Sequence, residues 1–383
     1  DAQMYFRAAV SHVTLTKGVP AGCDITAVPA QGVADIKLTG VVVSTADPQV
    51  VVLRTTDRGL VRSTDGGKTW HGANGQLRGK ANAIRSVAIH PTDPQVMLRA
   101  TSDGLYRTQD GCRTWQKLPL ECDFDGTGPT AVCGEVVAFL PQDPKIILAG
   151  GESQGLFRSV DGGEHWVRVI DPGYRFTALD ANPFFRNEFG HTVIHAVTCP
   201  DRFIELLGRG KSSVVTMQQD ACDFVSMDNG KTFKPHSERK ELGYLNTLSL
   251  RCSQHVQLYG TTHGLVHTFS LGLDNCLYGN SLPLEALRPM TAVGGSVALP
   301  QFCGRKFVQA MDPLVSKRLA RSDLGGDVWS WTECQGDFPR RVLAIKAVNP
   351  SATSTGNGWW VVGDDGLYRS DDNGATFQRV STQ

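Results

Sequence analysis

The sequence has no excess of either charge and no long hydrophobic run. Its 383 residues include 38 Lys+Arg and 38 Asp+Glu, so the formal net charge is zero. This balance argues against a basic nucleic-acid-binding protein and against an acidic solvating tail. No apolar run approaches the roughly 18 residues that a membrane-spanning helix requires, so no membrane span is predicted. Hydrophobic residues still make up 40% of the chain, enough for a large core and too many for a disordered protein.

The sequence also lacks the short motifs that mark common catalytic and cofactor sites. It contains no Gly-rich phosphate loop, no nucleophile elbow and no Cys-x-x-Cys pair. His191 and His195, like His263 and His267, have the spacing of metal ligands on a helix. Their segments are predicted to be strands, in which residues four apart lie about 13 Å from each other. We therefore predict no cofactor and no metal site.

The ten cysteines are well separated, which favours disulfides formed in an oxidising compartment over a zinc site. The nearest candidate pairs are Cys122 with Cys133 and Cys303 with Cys334, although spacing alone does not fix connectivity. Buried free thiols are the alternative. A chain that starts at Asp1 without a charged-then-apolar leader is typical of a mature protein whose signal peptide has been removed. We expect a secreted protein, extracellular or in another oxidising compartment.

An internal repeat decides the predicted fold. The pattern Ser/Thr-x-Asp-x-Gly-x-Thr-Trp/Phe occurs five times with small departures, which excludes chance. Each copy contributes an aspartate and an aromatic residue: Asp65 and Trp70, Asp110 and Trp115, Asp161 and Trp166, Asp228 and Phe233, and Asp372 and Phe377. The Asp carboxylate and the Ser or Thr hydroxyl can accept hydrogen bonds from their own turn, and Gly supplies the positive φ that the turn needs. We interpret the box as a structural staple rather than as a metal-binding or catalytic site.

The spacing of the boxes gives the number of repeats. A Gly-Leu-x-Arg phrase precedes four boxes and an Asp-Pro or Asn-Pro turn comes earlier still, so each repeat is predicted to be a four-stranded antiparallel blade. Asp228 and Asp372 are 144 residues apart, room for three blades of 48 residues, with degenerate turns near 276 and 324. The fold class is therefore an all-β, seven-bladed β-propeller. The predicted blades are about 36–73, 83–118, 134–169, 191–235, 245–280, 295–333 and 341–380.

The chain resembles the Asp-box (bacterial neuraminidase repeat) propellers from about residue 36 to residue 380. These include sialidases, xyloglucan-specific endoglucanases, sortilin-type sorting receptors and photosystem II assembly factors, so the resemblance implies the architecture and not the activity. The sialidase motif Phe-Arg-Ile-Pro is represented only by Phe6-Arg7-Ala8-Ala9. The endoglucanases usually have two tandem propellers, and this chain has room for one. Its size and blade number resemble those of the photosystem assembly factors.

Residues outside the repeat are the candidate binding residues, because insertions carry specificity on such frames. The stretch 171–190 interleaves aromatic residues with arginine, as interface anchors do. A second insertion, 202–222, contains a small basic loop, and a third, between Cys122 and Cys133, could present Asp123 and Asp125 to a cation. The candidates in the first two are Tyr174, Arg175, Phe176, Phe184, Phe185, Arg186, Phe189, Arg209 and Lys211. Coverage of a blade edge or a solvated hairpin tip is the alternative for each.

Two functions remain open. The first is a secreted, non-catalytic propeller that binds another protein or a multi-subunit assembly. The second is a glycan-binding or glycoside-hydrolysing, sialidase-like propeller, with a carboxylate pair in the central funnel and Trp359 or Trp360 as an aromatic platform. The alternative for this Trp pair is that at least one of the two packs between blades. Residues 1–35 form a separate N-terminal segment, in which 10–16 alternate as a strand that could close the ring.

Overall fold

The computed structural model describes part of the chain in detail. The described residues are 28–29, 37–56, 58–127, 134–187, 189–199, 222–238, 245–250, 256–261, 264–270, 276–277, 297–298, 307–310, 319–322, 331–339, 342–348, 358–363 and 365–380. They contain strands and one short 3-10 helix, Gly79–Asn82. The described part of the chain holds no helix long and apolar enough to cross a membrane.

The strands form seven sheets that follow one another along the chain, here called blades 1 to 7. Blade 1 contains β1 Val28–Pro29, β2 Leu38–Val43, β3 Val51–Thr55, β4 Leu60–Ser63 and β5 Thr69–Gly72. Blade 2 contains β6 Ile84–Ile89, β7 Met97–Thr101, β8 Gly104–Thr108 and β9 Gln116–Lys117. Blade 3 contains β10 Val137–Leu140, β11 Asp143–Gly150, β12 Leu156–Ser159 and β13 Val167–Ile170. Blade 4 contains β14 Arg175–Arg186, β15 Thr192–Cys199, β16 Cys222–Ser226 and β17 Lys234–Glu238.

Blades 5 and 6 repeat this order of four strands, and blade 7 carries a fifth, parallel strand at its outer edge. Blade 5 contains β18 Leu245–Leu250, β19 Val256–Thr261, β20 Gly264–Ser270 and β21 Cys276–Leu277. Blade 6 contains β22 Val297–Ala298, β23 Phe307–Ala310, β24 Leu319–Ser322 and β25 Trp331–Glu333. Blade 7 contains β26 Gln335–Gly336, β27 Val342–Ala347, β28 Trp359–Gly363, β29 Leu367–Ser370 and β30 Thr376–Arg379. The prediction of an all-β propeller with four-stranded antiparallel blades is confirmed.

The blades pack face to face around a ring. The first full strand of each blade (β2, β6, β10, β14, β18, β22 and β27) contacts its counterpart in the next blade, and β27 contacts β2. Because both faces of a blade are covered, its central strands are buried along their length and rich in apolar residues. All five residues of β3 are buried, with Val51 and Leu53 packing toward blade 7 and Val52 toward blade 2. The hydrophobic core therefore lies between blades, and this burial is the main favourable contribution to folding.

The antiparallel order gives the ring two faces. The turn between the first and second strands of a blade and the Asp-box turn lie at one end, joined by hydrogen bonds such as Gly66 N to Gln49 O (2.9 Å). We call this end the box face. The turn between the second and third strands and the link to the next blade lie at the other end, the connection face. Its described segments in blades 1 to 4 are 56, 58–59, 73–83, 102–103, 118–127, 134–136, 151–155 and 171–174.

The structure changes two details of the predicted organisation. Blade 4 begins at Arg175 and not at residue 191, because 175–186 form its first strand, β14, which pairs with β15. Within the N-terminal segment, β1 extends the outer edge of blade 1 by pairing Val28 with Trp70 and Pro29 with Thr69. Residues 10–16, the predicted ring-closing strand, lie outside the described residues.

Candidate functional site

Each of the five Asp-box turns has the same pattern of internal hydrogen bonds. In the first copy, Ser63 Oγ donates to Asp65 Oδ1 (2.8 Å) and Thr69 Oγ1 donates to Asp65 Oδ2 (2.6 Å). The backbone N–H of Thr69 also donates to Oδ1 (2.9 Å), and that of Gly67 donates to Ser63 Oγ (2.8 Å). The same contacts recur around Asp110, Asp161, Asp228 and Asp372, with His165 replacing the threonine in the third copy. Each carboxylate is therefore engaged by its own turn.

These contacts also set the ionisation of the box aspartates. Burial acts to raise the pKa of Asp65, but hydrogen bonds from Thr69, Ser63 and Lys68 outweigh it, so the pKa lies below its ordinary value. Asp110, Asp228 and Asp372 have lowered pKa values for the same reason. In Asp161 the backbone and side chain of His165 lower the pKa. Hydrogen bonds to the charged form favour it, so the boxes hold ionised carboxylates at neutral pH.

The box aromatic residues pack between blades. Trp70 is 6% exposed and meets Trp360 of blade 7 edge to face, with ring centroids 6.3 Å apart. Trp115 Nε1 donates to Ala73 O of blade 1 (3.1 Å). Phe377 is fully buried, whereas Trp166 and Phe233 are partly buried against the core of blades 2 to 4.

The arginine that precedes a box reaches the box turn of the next blade. Arg62 Nη1 donates to Gly111 O (3.1 Å), Arg107 Nη1 to Gly162 O (2.6 Å) and Arg158 Nε to Asn229 O (3.0 Å). In blade 7, Arg369 Nη1 donates to Gly66 O of blade 1 (2.5 Å) and its guanidinium lies over Trp360. This contact, which we call the arginine clasp, joins the last blade to the first in the same way as it joins blades 1 to 4 to one another.

The candidate stretch 171–190 is divided between the two faces of the ring. Phe176 is 1% exposed in the core, so its assignment to a contact surface is wrong. Tyr174 (37% exposed) and Arg175 lie at the connection face, whereas Phe189 (74% exposed) lies in the β14–β15 turn on the box face. The backbone of Phe184, Phe185 and Arg186 belongs to β14. The stretch is therefore a blade strand with two exposed ends and not one inserted surface.

Other candidates lie wholly or partly outside the described residues. Arg209 and Lys211 are among these, and in the sequence they fall between β15 and β16. Cys122 is a buried free cysteine, so the structure does not show the predicted bridge to Cys133, which lies outside the described residues. Cys334 is buried and Cys303 lies outside the described residues, so their pairing stays a prediction.

The connection face also carries buried charges within apolar strands. Arg54 of β3 is 2% exposed, and its guanidinium crosses the first strand of blade 1 over Gly40, where a Cβ would lie 2.3 Å from Nη2. There Nη2 lies 3.1 Å from Glu135 Oε1 and Nη1 donates to Arg85 O (2.6 Å). The other carboxylate oxygen of Glu135 accepts from Ser86 Oγ (2.8 Å) and Val87 N (2.7 Å). Blades 1, 2 and 3 are therefore joined by one ion pair.

Arg85 continues this network toward blade 4. It lies where the pairing of β6 with β7 shifts register, and such bulges redirect side chains. Its Nη1 donates to Gly134 O (2.8 Å), and Nη2 donates to Phe176 O (3.3 Å) and Thr177 O (3.4 Å). Arg85 Nε lies 3.8 Å from Glu152 Oε1, too far for a hydrogen bond. This fully buried arginine therefore contacts blades 3 and 4 from blade 2.

The network ends at a solvent-accessible arginine. Arg175 Nη1 contacts Glu152 Oε2 in an ion pair whose side chains are 21% and 11% exposed. The preceding Tyr174 packs edge to face on Phe224, with ring centroids 4.8 Å apart. In the β14–β15 ladder, the backbone of Arg175 lies opposite that of Cys199, the last residue of β15. We call Tyr174, Arg175 and Glu152 the Tyr-Arg edge.

Of the side chains in this network, only those of Tyr174 and Arg175 were predicted from the sequence. The available signal was a charge inside an apolar strand, as in Val51–Thr55 and Ile84–Ile89, because an arginine there must be paired when buried. The proposed aromatic platforms are wrong, since Trp359 and Trp360 are 0% and 1% exposed. Among the residues that the structure describes, no group of three or more His, Cys, Asp and Glu side chains is placed to hold a metal ion.

Comparisons with known proteins agree with this architecture. The family model of the BNR/Asp-box repeat matches residues 61–71. The GH74 xyloglucanase from Xanthomonas campestris superposes with a TM-score of 0.67 at 17% identity, over 89% of this chain and 54% of that one. The chain thus spans about half the length of that enzyme. No curated protein matches in sequence.

Single propellers of similar length also match. YCF48 from Cyanidioschyzon merolae gives a TM-score of 0.55 at 15% identity, covering 95% of this chain and 99% of that one. A structure of YCF48 bound to D1 peptide gives 0.54 at 14% identity, covering 94% and 98%. At these identities the likeness establishes the fold alone. The chain is a β-propeller that carries BNR/Asp-box repeats.

Proposed function

We propose that this propeller is a secreted, non-catalytic subunit that binds another protein on its connection face. The observation that carries the proposal is the pairing of Glu135 and Glu152 with arginines. An acid/base pair needs carboxyl groups that reach the substrate, whereas these two hold guanidinium groups in place. Arg54 and Arg85 are buried in this network, and Arg175 stays partly accessible at the connection face.

Two further observations support protein binding. Tyrosine and arginine are the residues that most often dominate protein interfaces, and Tyr174 and Arg175 lie together at this face with part of each side chain accessible. The structure of YCF48 with D1 peptide is a precedent for a single propeller of this length that binds a polypeptide. Secretion rests on the ten separated cysteines, and mass spectrometry of the unreduced protein would test it.

The test is site-specific cross-linking on both faces. A photoreactive phenylalanine analogue replaces Tyr174 in one variant and, as the matched control, the exposed Phe189 of the box face in another. After irradiation in the native source, we expect a single polypeptide in stoichiometric yield from position 174 and none from position 189. Equal cross-linking at both positions, or a native mass that corresponds to the chain alone, would contradict the proposal.

A glycan-binding or glycan-hydrolysing propeller is the second candidate, favoured by the likeness of the fold to the GH74 xyloglucanase. Incubation with xyloglucan and with sialyllactose, followed by analysis of the released sugars, separates the two functions. Hydrolysis at a rate proportional to protein concentration would select the enzyme. Binding without hydrolysis would select a lectin.

A further inference from the structure

The link between blades 1 and 2 carries exposed positive charges with no carboxylate beside them. Residues 73–83 form this link and contain Arg78 and Lys80 but no Asp or Glu, and Arg58 lies in the neighbouring β3–β4 turn. All three residues are exposed. Within the part of the chain that the structure describes, none of them takes part in an ion pair, and only Arg78 donates a side-chain hydrogen bond, from Nη1 to two backbone carbonyls of its own link. We call Arg58, Arg78 and Lys80 the basic patch.

Hydrogen bonds hold the basic patch in place. Asn74 Nδ2 donates to Arg58 O (2.7 Å) and Leu60 N donates to Asn74 Oδ1 (2.9 Å), so the link is fastened to the β3–β4 turn. Gln76 Nε2 donates to Trp115 O (2.5 Å), and Gln76 Oε1 accepts from Trp115 N (3.1 Å), so the link is also fastened to blade 2. The backbone that carries the patch is therefore fixed before a partner arrives, which lowers the entropic cost of binding.

A buried arginine adds positive charge beneath the link. Arg99 of β7 is 0% exposed, and its guanidinium donates to Ala81 O and to Asn82 Oδ1 (3.1 Å) of the link. Its Nη1 also lies 3.4 Å from Asn74 Oδ1, and its Cζ lies 5.0 Å from the ring centre of Trp115. All of these partners are neutral. Burial lowers the pKa of Arg99 to about 10, so the guanidinium is still charged at pH 7.

Arg99 differs in this respect from the other buried arginines of the connection face. Arg54 lies 3.1 Å from Glu135, and Arg85 lies 3.8 Å from Glu152. Among the described residues, no carboxylate pairs with Arg99. Buried charges are usually paired, because taking them out of water is costly and because salt screens them little. Arg99 therefore leaves a positive charge at the link that an anion from outside can balance.

The described carboxylates of this part of the connection face are paired or lie on another link. Asp103, in the β7–β8 turn, forms an ion pair with Lys117 (3.4 Å) and accepts a hydrogen bond from Tyr106. The next link begins with residues 118–127, which contain three carboxylates and no Lys or Arg. The face is therefore basic over the link between blades 1 and 2 and acidic over the link that follows.

We propose that the basic patch binds an acidic segment of the protein partner, with Arg58, Arg78 and Lys80 as the contacts and the buried charge of Arg99 supporting them. The proposal rests on the protein-binding function given above. Exposed cations spread over a turn and a link match a segment with several carboxylates, whereas one small anion needs donors that converge on a point. Complementary charges of this kind speed the encounter and fix the orientation of a partner.

The first experiment measures whether the full chain prefers an acidic peptide. The probe is a fluorescein-labelled peptide in which glutamate alternates with glycine and serine, and the matched peptide has glutamine in place of each glutamate. Binding is followed by fluorescence anisotropy at about 20 mM and about 150 mM NaCl. We expect the glutamate peptide to bind about tenfold more tightly or better, with a smaller advantage at the higher salt concentration because exposed charges are screened.

Charge reversal then locates the binding site. Arg78→Glu combined with Lys80→Glu should weaken binding of the glutamate peptide about tenfold or more, because two attractions become repulsions. The matched control combines Lys68→Glu with Arg113→Glu, which makes the same change of net charge at exposed positions of the box face in the same two blades. At the higher salt concentration this control should keep the affinity within about twofold of the wild type.

A third pair of variants separates the charge of Arg99 from its part in the structure of the link. Arg99→Gln removes the buried charge, whereas Arg99→Lys keeps it and loses the planar group. We expect Arg99→Gln to bind the glutamate peptide about threefold more weakly and Arg99→Lys to restore the affinity. Equal losses in the two variants would show that Arg99 acts through the shape of the link and not through its charge.

Several results would overturn the proposal. Two of them are equal affinities for the glutamate and glutamine peptides and an equal loss of affinity in the box-face control. Dimerisation of the chain that the reversal of Arg78 and Lys80 abolishes would assign the basic patch to the acidic link of a second copy. Binding of a heparin oligosaccharide through the same two residues, without binding of the glutamate peptide, would assign it to a sulfated glycan.

The failure of this inference and the failure of the protein-binding function give different results. If cross-linking at position 174 identifies a partner whose affinity is unchanged by the reversal of Arg78 and Lys80, the protein-binding function stands and only the acidic-segment inference fails. If no polypeptide is cross-linked and the chain alone accounts for the native mass, the function fails as well.

Discussion

The two faces of the ring are built on different principles. On the box face, five turns repeat one network in which every carboxylate is satisfied within about five residues of chain, as Ser63, Asp65 and Thr69 show. On the connection face, Arg54, Arg85 and Glu135 find their partners in other blades and each makes a different set of contacts. The contacts of the box turns are local and repeated, so any blade with a box can make them. The contacts of the connection face are long-range and differ from blade to blade, so they form one particular surface, and this is where we place function.

The largest expected loss of stability comes from removing the guanidinium of Arg85 from the connection face. Arg85→Met keeps the apolar volume but leaves the carbonyls of Gly134, Phe176 and Thr177 without their donor. A buried acceptor that loses its donor costs about 1–3 kcal/mol of unfolding free energy, so we expect a loss of at least about 3 kcal/mol from the three carbonyls together. Urea unfolding followed by tryptophan fluorescence measures the loss. The exposed Arg58 on the same face is the control, and Arg58→Met should change stability by about 0.5 kcal/mol or less.

A loss below about 1 kcal/mol in Arg85→Met would show that the guanidinium is not needed to join blades 2, 3 and 4. An equal loss in Arg58→Met would show that the effect is one of net charge.

The second effect tests how the box face closes the ring. In Gly67→Ala the new Cβ would lie 2.5 Å from Trp360 Cη2, at a φ of +89°. The left-handed backbone costs an alanine about 1–2 kcal/mol and overpacking adds about 1–3 kcal/mol. Gly190→Ala is the matched control, because its φ is +77° and its Cβ would meet nothing within 4 Å. Calorimetry should show a clearly larger fall in Tm for Gly67→Ala. Equal falls in Tm would mean that the loss comes from backbone strain alone and that Trp360 can move aside without cost.

The third effect concerns the arginine clasp. Arg369→Gln removes the hydrogen bond to Gly66 O and the contact with Trp360, and should cost about 1–2 kcal/mol by urea unfolding. Arg113→Gln, an exposed box residue, should cost less than 0.5 kcal/mol. In blade 4 the corresponding residue is Val225, and the blade that follows has no box. If Arg369→Gln lost no more unfolding free energy than Arg113→Gln, the arginine clasp would contribute no more to stability than an ordinary surface contact does.

The difference between the faces also explains what the sequence could predict. Box residues and blade strands were predictable because each repeat carries its own partners, so Asp65 and Trp70 could be assigned from spacing. The start of blade 4 was missed because 175–186 lacks the repeat phrases and resembles an insertion in its aromatic and arginine content. The Arg54–Glu135 pair joins residues 81 positions apart, and no local pattern encodes that distance. Trp359 and Trp360 looked available only because a sequence does not show which strands are covered on both faces.

The smallest effect is the pH dependence of the box face. The pKa of Asp65 is lower in the folded chain than its ordinary value, because hydrogen bonds from Thr69, Ser63 and Lys68 outweigh the opposing effect of burial. A lowered folded pKa stabilises the protein above the unfolded value near 4, and this contribution is lost as the pH falls through the folded value. Asp65→Asn should therefore lose about 1 kcal/mol at pH 7 and less at pH 2, so that its stability varies less with pH than that of the wild type. Urea midpoints between pH 7 and pH 2 measure this, with Asp171→Asn, an exposed residue outside the boxes, as the control that should follow the wild type. Parallel curves for Asp65→Asn and the wild type would show that the carboxylate contributes through its shape in the turn and not through its charge.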